Sequence, residues 1–266
     1  MKLGIAQIPV CVDRAQNVNT AEGAVERLAA RGADLIVLPE MFTTPYDNAA
    51  FAQNAEDASG ETCTRMADAA RSAGVFLVAG SIPERAAGRL YNSSFVFDPN
   101  GSCIARHRKA HLFDINVTGG QAFRESDTLT AGDAVTVFDT PFGRVGLCIC
   151  FDIRFPELSR AMADDGAGLI VCPAAFNLTT GPAHWALTLR ARALDNQLFV
   201  AACAPARDEI APYVSYAHSL VASPWGDVIT QAGTKPEELV VEVDFAKNDE
   251  IRVQLPLLAA RRRDLY

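Results

Sequence analysis

No stretch of this chain is apolar for long enough to span a bilayer, and residues 1–15 carry no basic segment followed by a long apolar one. A soluble, cytoplasmic protein is expected. There is no CxxC pair, the seven cysteines are an odd number, and Cys148, Cys172 and Cys203 sit inside apolar runs, so reduced thiols are expected rather than a disulfide framework. Positive charge is in short supply: 24 Lys and Arg against 32 Asp and Glu leave a net −8, with a pI near 5.0. That balance argues against nucleic acid or an anionic membrane as partner, and an anionic small molecule would need a local basic pocket. Histidine is scarce as well, and nothing in the sequence singles out His107, His111, His184 or His218 as the base of a Cys–His pair. His107 and His111 are four apart, but their segment lacks the helical periodicity that would put both on one face, so no metal site is expected. GxGxxG, the P-loop pattern and GxSxG are all missing, which leaves dinucleotide, nucleotide and α/β-hydrolase readings without support.

What is present is an alternation of short apolar runs and helical periods. KLGIAQI (2–8) reads as a buried strand; Ala21, Ala24, Val25, Leu28 and Ala29 recur at helical spacing before a stop at Gly32; GADLIVLPE is a strand ending at Pro39-Glu40. Cys63, Met66, Ala67 and Ala70 mark a second helix, closed by Gly74 and followed by the strand VFLVAG. Such alternation predicts an α/β architecture. SSFVFDPNGSCIAR has the form of a hairpin about Asp98-Pro99-Asn100-Gly101. From His107 to Asp133 the periodicity disappears, and an irregular segment of that length is expected to be functional or disordered.

The order then repeats. GADLIVLPEMF (32–42) and GAGLIVCPAAF (166–176) agree at seven of eleven positions, KLGIA has a counterpart in RVGLC, and FDPNG has one in ASPWG (222–226). The chain therefore reads as one domain, 1–266, built by duplication, with two sheets stacked face to face, helices outside, and a pseudo-twofold axis between the halves. The tail from Asp249 to Tyr266, with its Arg261-Arg262-Arg263 cluster, reads as solvated or subunit-contacting.

Three residues stand where strands end or have just ended. Cys150 lies between the apolar Val145, Leu147 and Ile149 and a helix opened by Pro156 and carried by Leu158, Ala161 and Met162. At such a turn the helix N–H groups and dipole are expected to lower the thiol pKa; the other reading is a small buried hydrophobe. Glu40 is either a solvated strand terminus or a carboxylate aimed into a cleft, and Lys109 either part of a solvated basic run or a functional ammonium. Together they are chemically complete. A carboxylate deprotonates the thiol and protonates leaving ammonia, while the ammonium and the Phe151 backbone N–H stabilise a tetrahedral oxyanion. Arg154, four residues after Cys150, is placed either to pair with a substrate carboxylate or to form an ion pair with Asp152 or Glu157. The pseudo-twofold brings Phe176 and Thr180 towards the same cleft.

LPEMF around Glu40, RHRKAHLFDI around Lys109 and GLCICFDIRFPEL around Cys150 resemble the three motifs of the nitrilase superfamily of carbon–nitrogen hydrolases. The resemblance runs essentially end to end, through SIPER, LYNSS, FRESDTLTAGD, AFNLTTGPAHW, RARALDNQLFVAACAPARD and the terminal DLY, and is nearest to the omega-amidases. It implies a four-layer αββα sandwich, commonly paired into dimers, with a Glu-Lys-Cys triad and no metal or cofactor. Carried onto this sequence, Glu40 is the general base, Lys109 the oxyanion stabiliser and Cys150 the nucleophile. Glu125 matches a second glutamate that orients the site, and Tyr46, Arg154, Phe176 and Thr180 match the substrate pocket. Cys148 stands where relatives tend to have glycine and Phe151 where they often have tyrosine, departures that bear on fine substrate preference.

The implied activity is hydrolysis of short 2-oxo dicarboxylate monoamides, such as 2-oxoglutaramate or 2-oxosuccinamate, through a thioester on Cys150. The rival readings are a deaminated glutathione amidase, which needs room for a peptide-like tail; more remotely, carbamoyl-group hydrolysis; and, outside enzymes, a catalytically silent dimeric scaffold, which has no need of a complete triad. Helices near Phe155–Asp165 and His184–Asn196 are the expected dimer surface.

Overall fold

The computed structural model describes residues 1–265; Tyr266, the end of the basic tail, lies outside them. The helix Arg14–Ala30 forms where the periodicity puts it: Asp13 caps its first turn by accepting from the Gln16 N–H, and Ala21, Ala24, Val25 and Leu28 are all buried on one side. The helix Glu61–Ala73 ends on Gly74 in the left-handed conformation, whose N–H returns to the Ala70 and Arg71 carbonyls. Both cover the outer face of the first sheet.

That sheet runs, in spatial order, Glu237–Glu242, Lys2–Gln7, Leu35–Val37, Phe76–Val78, Arg89–Phe97, Ile82–Ala86, with Cys103–Arg108 also paired to Arg89–Phe97. The second runs Val228–Gln231, Leu220–Ala222, Phe199–Cys203, Ala167–Pro173, Gly143–Leu147, Thr136–Thr140, covered by the helices Pro156–Asp164 and Gly181–Asn196. Each sheet has three parallel strands at its centre, in equivalent places in the two halves. Alternation along the strands sends Leu3, Ile5, Leu35, Val37 and Val78 inward to meet Val145, Leu147, Leu169, Val171 and Phe199 in one apolar layer. The result is the αββα sandwich.

One feature departs from the sequence reading, and two others add detail to it. The strand Glu237–Glu242 leaves the second half and pairs antiparallel with Lys2–Gln7, closing the edge of the first sheet. The segment between His107 and Asp133 carries local order, a small hairpin of Asp114–Asn116 with Ala122–Arg124 and a short turn of helix at Glu125–Asp127. The arginine cluster is tied to acids: Arg261 pairs with Asp164 at 2.6 Å and Arg262 with Asp264 at 2.5 Å. No helix among the described residues is long and apolar enough to cross a membrane.

Candidate active site

Equivalent strand tips in the two halves deliver the reactive groups to one place. Leu35–Val37 ends just before Pro39-Glu40, and the Glu40 turn is held by Ser81, whose hydroxyl accepts from the Met41 N–H at 3.0 Å while its N–H donates to the Pro39 carbonyl at 3.2 Å. The backbone beside it is so close that a Cβ on Gly80, at φ +51°, would lie 2.1 Å from the Pro39 oxygen. Gly143–Leu147 ends just before Cys150, which opens a short 3-10 turn with φ +47°, a conformation rare for a residue with a side chain.

Around these tips the buried polar groups converge. Glu40, Lys109 and Glu125 are 1%, 1% and 0% exposed. The Lys109 ammonium donates to Glu40 Oε1 at 2.9 Å, to Glu125 Oε1 at 3.0 Å and to the Tyr46 hydroxyl at 3.2 Å. Tyr46 donates to Glu125 Oε1 at 2.7 Å, and Asn92 Nδ2 donates to Glu40 Oε1 at 2.8 Å. Glu125 Oε2 accepts the Phe113 N–H at 2.6 Å. Every donor of the ammonium is thus engaged, while Glu40 Oε2 is buried with no partner among the oxygens and nitrogens of the described residues.

Burial raises the Glu40 carboxyl against the opposing pull of Lys109, and the adjacent Cys150 thiol acts on it as well. Burial would lower the Lys109 ammonium, but Glu125 and Glu40 outweigh it and hold its pKa up, so it stays charged. For Cys150 the expected direction is reversed. Burial, then the Glu40 charge, push the thiol well above its ordinary pKa despite Lys109. The helix that was to depress it begins only at Pro156, and the single 3-10 turn at Cys150 offers little dipole. At rest this is a thiol waiting for a base.

Asp152 explains how two distant segments are held in register. Its Oδ2 accepts from the Ile149 N–H at 3.0 Å and meets His107 Nε2 at 2.9 Å; its Oδ1 accepts from the His111 N–H and meets His111 Nδ1, each at 2.8 Å. His107 and His111 flank Lys109, so this fully buried carboxylate staples the lysine segment to the cysteine turn. The two histidines do reach a common point, contrary to the periodicity argument, because the chain bends rather than winds between them. Burial alone would raise the Asp152 pKa, but the hydrogen bonds from the two histidines dominate and hold it far below the usual carboxylate range. Among the described residues no histidine nitrogen bonds Cys150, and no group of three or more His, Cys, Asp or Glu is arranged to hold a metal ion.

The pocket residues divide. Arg154 lies 4.3 Å above the Phe176 ring and 5.7 Å from that of Phe151, close enough to Cys150 for the sulfur to bear on its charge. It has no carboxylate partner among the described residues; Asp152 is taken by the histidines, which removes the ion-pair alternative. Its Nη1 donates to His184 Nδ1 at 2.9 Å, and its buried Nε has no partner among the described residues. Thr180 opens the helix Gly181–Asn196 and spends its hydroxyl on Asn177 Oδ1 at 3.1 Å. Tyr46 belongs to the Glu40–Lys109–Glu125 network rather than to the pocket wall alone. Cys148 fills core space and is wholly buried. Sequence reasoning missed Tyr213, which stacks on Tyr46 at 4.4 Å and donates its hydroxyl to the Ala175 carbonyl at 2.5 Å. It also passed over Asn92, although the LYNSS stretch containing it was in view.

The carbon-nitrogen hydrolase family profile matches residues 2–253. The chain is a carbon–nitrogen hydrolase. It is 48% identical to omega-amidase NIT2-A of Xenopus laevis over 265 residues, covering 100% of this chain and 96% of the relative. Among solved structures, Saccharomyces cerevisiae Nit3, described as a member of branch 10 of the nitrilase superfamily, superposes with a TM-score of 0.90 at 34% identity, covering 99% and 96% of the two chains. An amidase from Nesterenkonia sp. AN1 superposes at 0.83 with 25% identity over 100% and 95%; one of its glutamate-to-glutamine mutants was captured with the acetamide moiety of fluoroacetamide added covalently to the active-site cysteine. This carbon–nitrogen hydrolase is an amide-hydrolysing enzyme, and its αββα sandwich is that of the nitrilase superfamily.

Proposed function

We propose that this enzyme is an omega-amidase that removes ammonia from short 2-oxo dicarboxylate monoamides of 2-oxoglutaramate or 2-oxosuccinamate size. The observation that carries the reading is Arg154: a guanidinium beside the nucleophile, packed on Phe176, with no carboxylate among the described residues to neutralise it. A substrate carboxylate supplies that partner in a bidentate pair, leaving the terminal amide against Cys150.

Chemistry then follows from the buried network. As Cys150 Sγ attacks the amide carbon, Glu40 takes the thiol proton; the raised pKa values of both groups suit a transfer made only at attack rather than a standing thiolate. Negative charge on the carbonyl oxygen is met by the Lys109 ammonium and the Phe151 N–H. Because all three ammonium donors are engaged at rest, Lys109 acts through its charge or by releasing the Tyr46 hydroxyl, the longest of its bonds. Collapse breaks the C–N bond, and the nitrogen leaves as ammonia with the proton from Glu40. Water, deprotonated by Glu40, hydrolyses the thioester and returns the proton to the thiol. The Nesterenkonia adduct supports covalent chemistry at a cysteine in this fold.

Arg154→Met tests the assignment. Removing the cation from a desolvated carboxylate costs about 2–5 kcal/mol, so kcat/KM for 2-oxoglutaramate should fall by a factor between about 30 and about 5,000 while butyramide loses little. Equal losses for acidic and neutral amides would remove the acidic-substrate reading and leave the amidase chemistry standing.

A further inference from the structure

The LYNSS stretch places Asn92, wholly buried, on the strand Arg89–Phe97, which delivers neither the base nor the nucleophile. Both its side chain and its backbone nevertheless reach the reactive groups. Nδ2 donates to Glu40 Oε1 at 2.8 Å, and the main-chain carbonyl accepts from the Lys109 N–H, also at 2.8 Å. Glu40 Oε1 takes the Lys109 ammonium as well, at 2.9 Å, while the single Tyr46 proton goes to the nearer Glu125 Oε1, 2.7 Å away against 3.2 Å to Glu40. Two donors therefore fill the two lone pairs of Oε1, and Oε2 is left without a partner among the described residues. The direction of the amide is fixed by its neighbour, since turned over it would set its oxygen against a carboxylate oxygen. Asn92 Oδ1 is buried with no partner among the described residues, so the bond to Glu40 is the one hydrogen bond its side chain makes with them.

We propose that Asn92 is a positioning residue for the general base: by saturating Glu40 Oε1 together with Lys109, it makes Oε2 the oxygen that exchanges a proton with the Cys150 thiol and the leaving nitrogen. This role rests on Glu40 being the base, as above, and is independent of the acyl half of the substrate. Asn92 acts on Glu40 in two ways. It fixes the rotation of the carboxylate, so that the same oxygen meets the thiol in every turnover. It also favours the ionised form, because a hydrogen bond to a carboxylate opposes burial, the largest influence raising Glu40, and the charge of Glu125. The charged and titratable groups facing Glu40 are Lys109, Glu125, Tyr46, Tyr213 and the Cys150 thiol. Lys109 stays charged, and Tyr46, Tyr213 and Cys150 are pushed above their ordinary values, chiefly by burial. An acid limb of activity therefore belongs to the carboxylates, and the Asn92 amide touches that of Glu40.

Butyramide hydrolysis by the full-length enzyme across pH reads this role, since that amide does not titrate and has no carboxylate for Arg154. Asn92→Leu keeps the shape of the side chain and the main-chain bond to Lys109 but removes Nδ2; Asn92→Ser removes Nδ2 with a smaller side chain and carries the test if the leucine variant does not fold. The acid limb of kcat/KM falls as the base of the free enzyme is protonated. Losing a donor to the ionised form raises that pKa, so in the variants the limb should move to higher pH by about one unit or more. At the optimum kcat should fall by about tenfold or more, with KM changed less. A variant with a lowered urea midpoint and a lowered rate but an acid limb in place would make Asn92 a core residue only and overturn the proposal, as would a wild-type kcat and pH profile. Glu40→Gln reports on the base itself and should lose on the order of 10² or more in kcat. Near wild-type kcat in Glu40→Gln would remove the base and the role of Asn92 with it, whereas an inactive Glu40→Gln beside an unmoved limb in the Asn92 variants would remove Asn92 alone.

Discussion

Replacing Asp152 separates holding the site together from taking part in its chemistry. In Asp152→Asn the Oδ1 position can still accept both His111 donors, and His107 can change tautomer to accept from the new amide because its Nδ1 then donates to Thr136 Oγ1, 2.9 Å away. The Ile149 N–H has no such escape. It faced Oδ2 at 3.0 Å and would now face an N–H donor inside a wholly buried site, a loss of about 1–3 kcal/mol. Asp152→Ala strands all four donors and should cost about 3–5 kcal/mol, the range for breaking a buried charge network.

Urea unfolding at pH 7 reads these differences, and kcat on a primary amide reads the second consequence: with the Ile149–Cys150 turn released, a displacement of the sulfur near 1 Å costs on the order of 10² in rate. Acid adds a sign. A carboxyl depressed on folding contributes stability that is complete above its unfolded pKa of about 3.9 and is lost as pH falls from there towards the lower folded value. Wild type should therefore lose stability across that window, and Asp152→Asn should lack this part of the loss. An Asn variant with wild-type midpoint, wild-type kcat and an unchanged acid limb would refute the staple.

Two other outcomes are expected. Cys150→Ala should abolish ammonia release without unfolding the chain, and the wild-type thiol should react only slowly with iodoacetamide at pH 7, faster as pH rises, because its pKa is raised; rapid alkylation already complete at pH 6 would contradict the resting thiol. We also propose a twofold dimer through the helices Pro156–Asp164 and Gly181–Asn196, whose Leu187 and Leu194 are 67% and 40% exposed; sedimentation at micromolar concentration should show it, and a monomer would count against it.

The sandwich and the strand tips were legible because apolar alternation, Gly and Pro stops and the repeated GAxLIVxP stretch are local signals. The strand Glu237–Glu242 was not, since EELVVE is a mixed, partly exposed edge whose partner is the first strand of the chain. Glu40, Lys109 and Cys150 could be grouped as a chemical set, but Asp152 could not be seen as the staple because its partners lie in a segment without periodicity. Tyr213 was hidden for the same reason, in a loop that only packing places on Tyr46. The direction of the Cys150 pKa was missed because a dipole argument drawn from a helix in sequence ignores how completely two sheets and their loops bury the sulfur.

The duplication has a consequence for how activity can be assembled. Aligned on the repeat, Glu40 corresponds to Ala174 and Cys150 to Ile8, so neither repeat carries a spare copy of the other's reactive group. Lys109, reached through the long hairpin of the first half, is clamped by a carboxylate of the second. Even the outer edge of the first sheet is supplied from beyond the second repeat. Half-molecules expressed separately would each be inert, whatever their residual structure. Turnover on mixing them would report docking across the shared apolar layer, which makes catalysis a reporter of complementation between the two repeats.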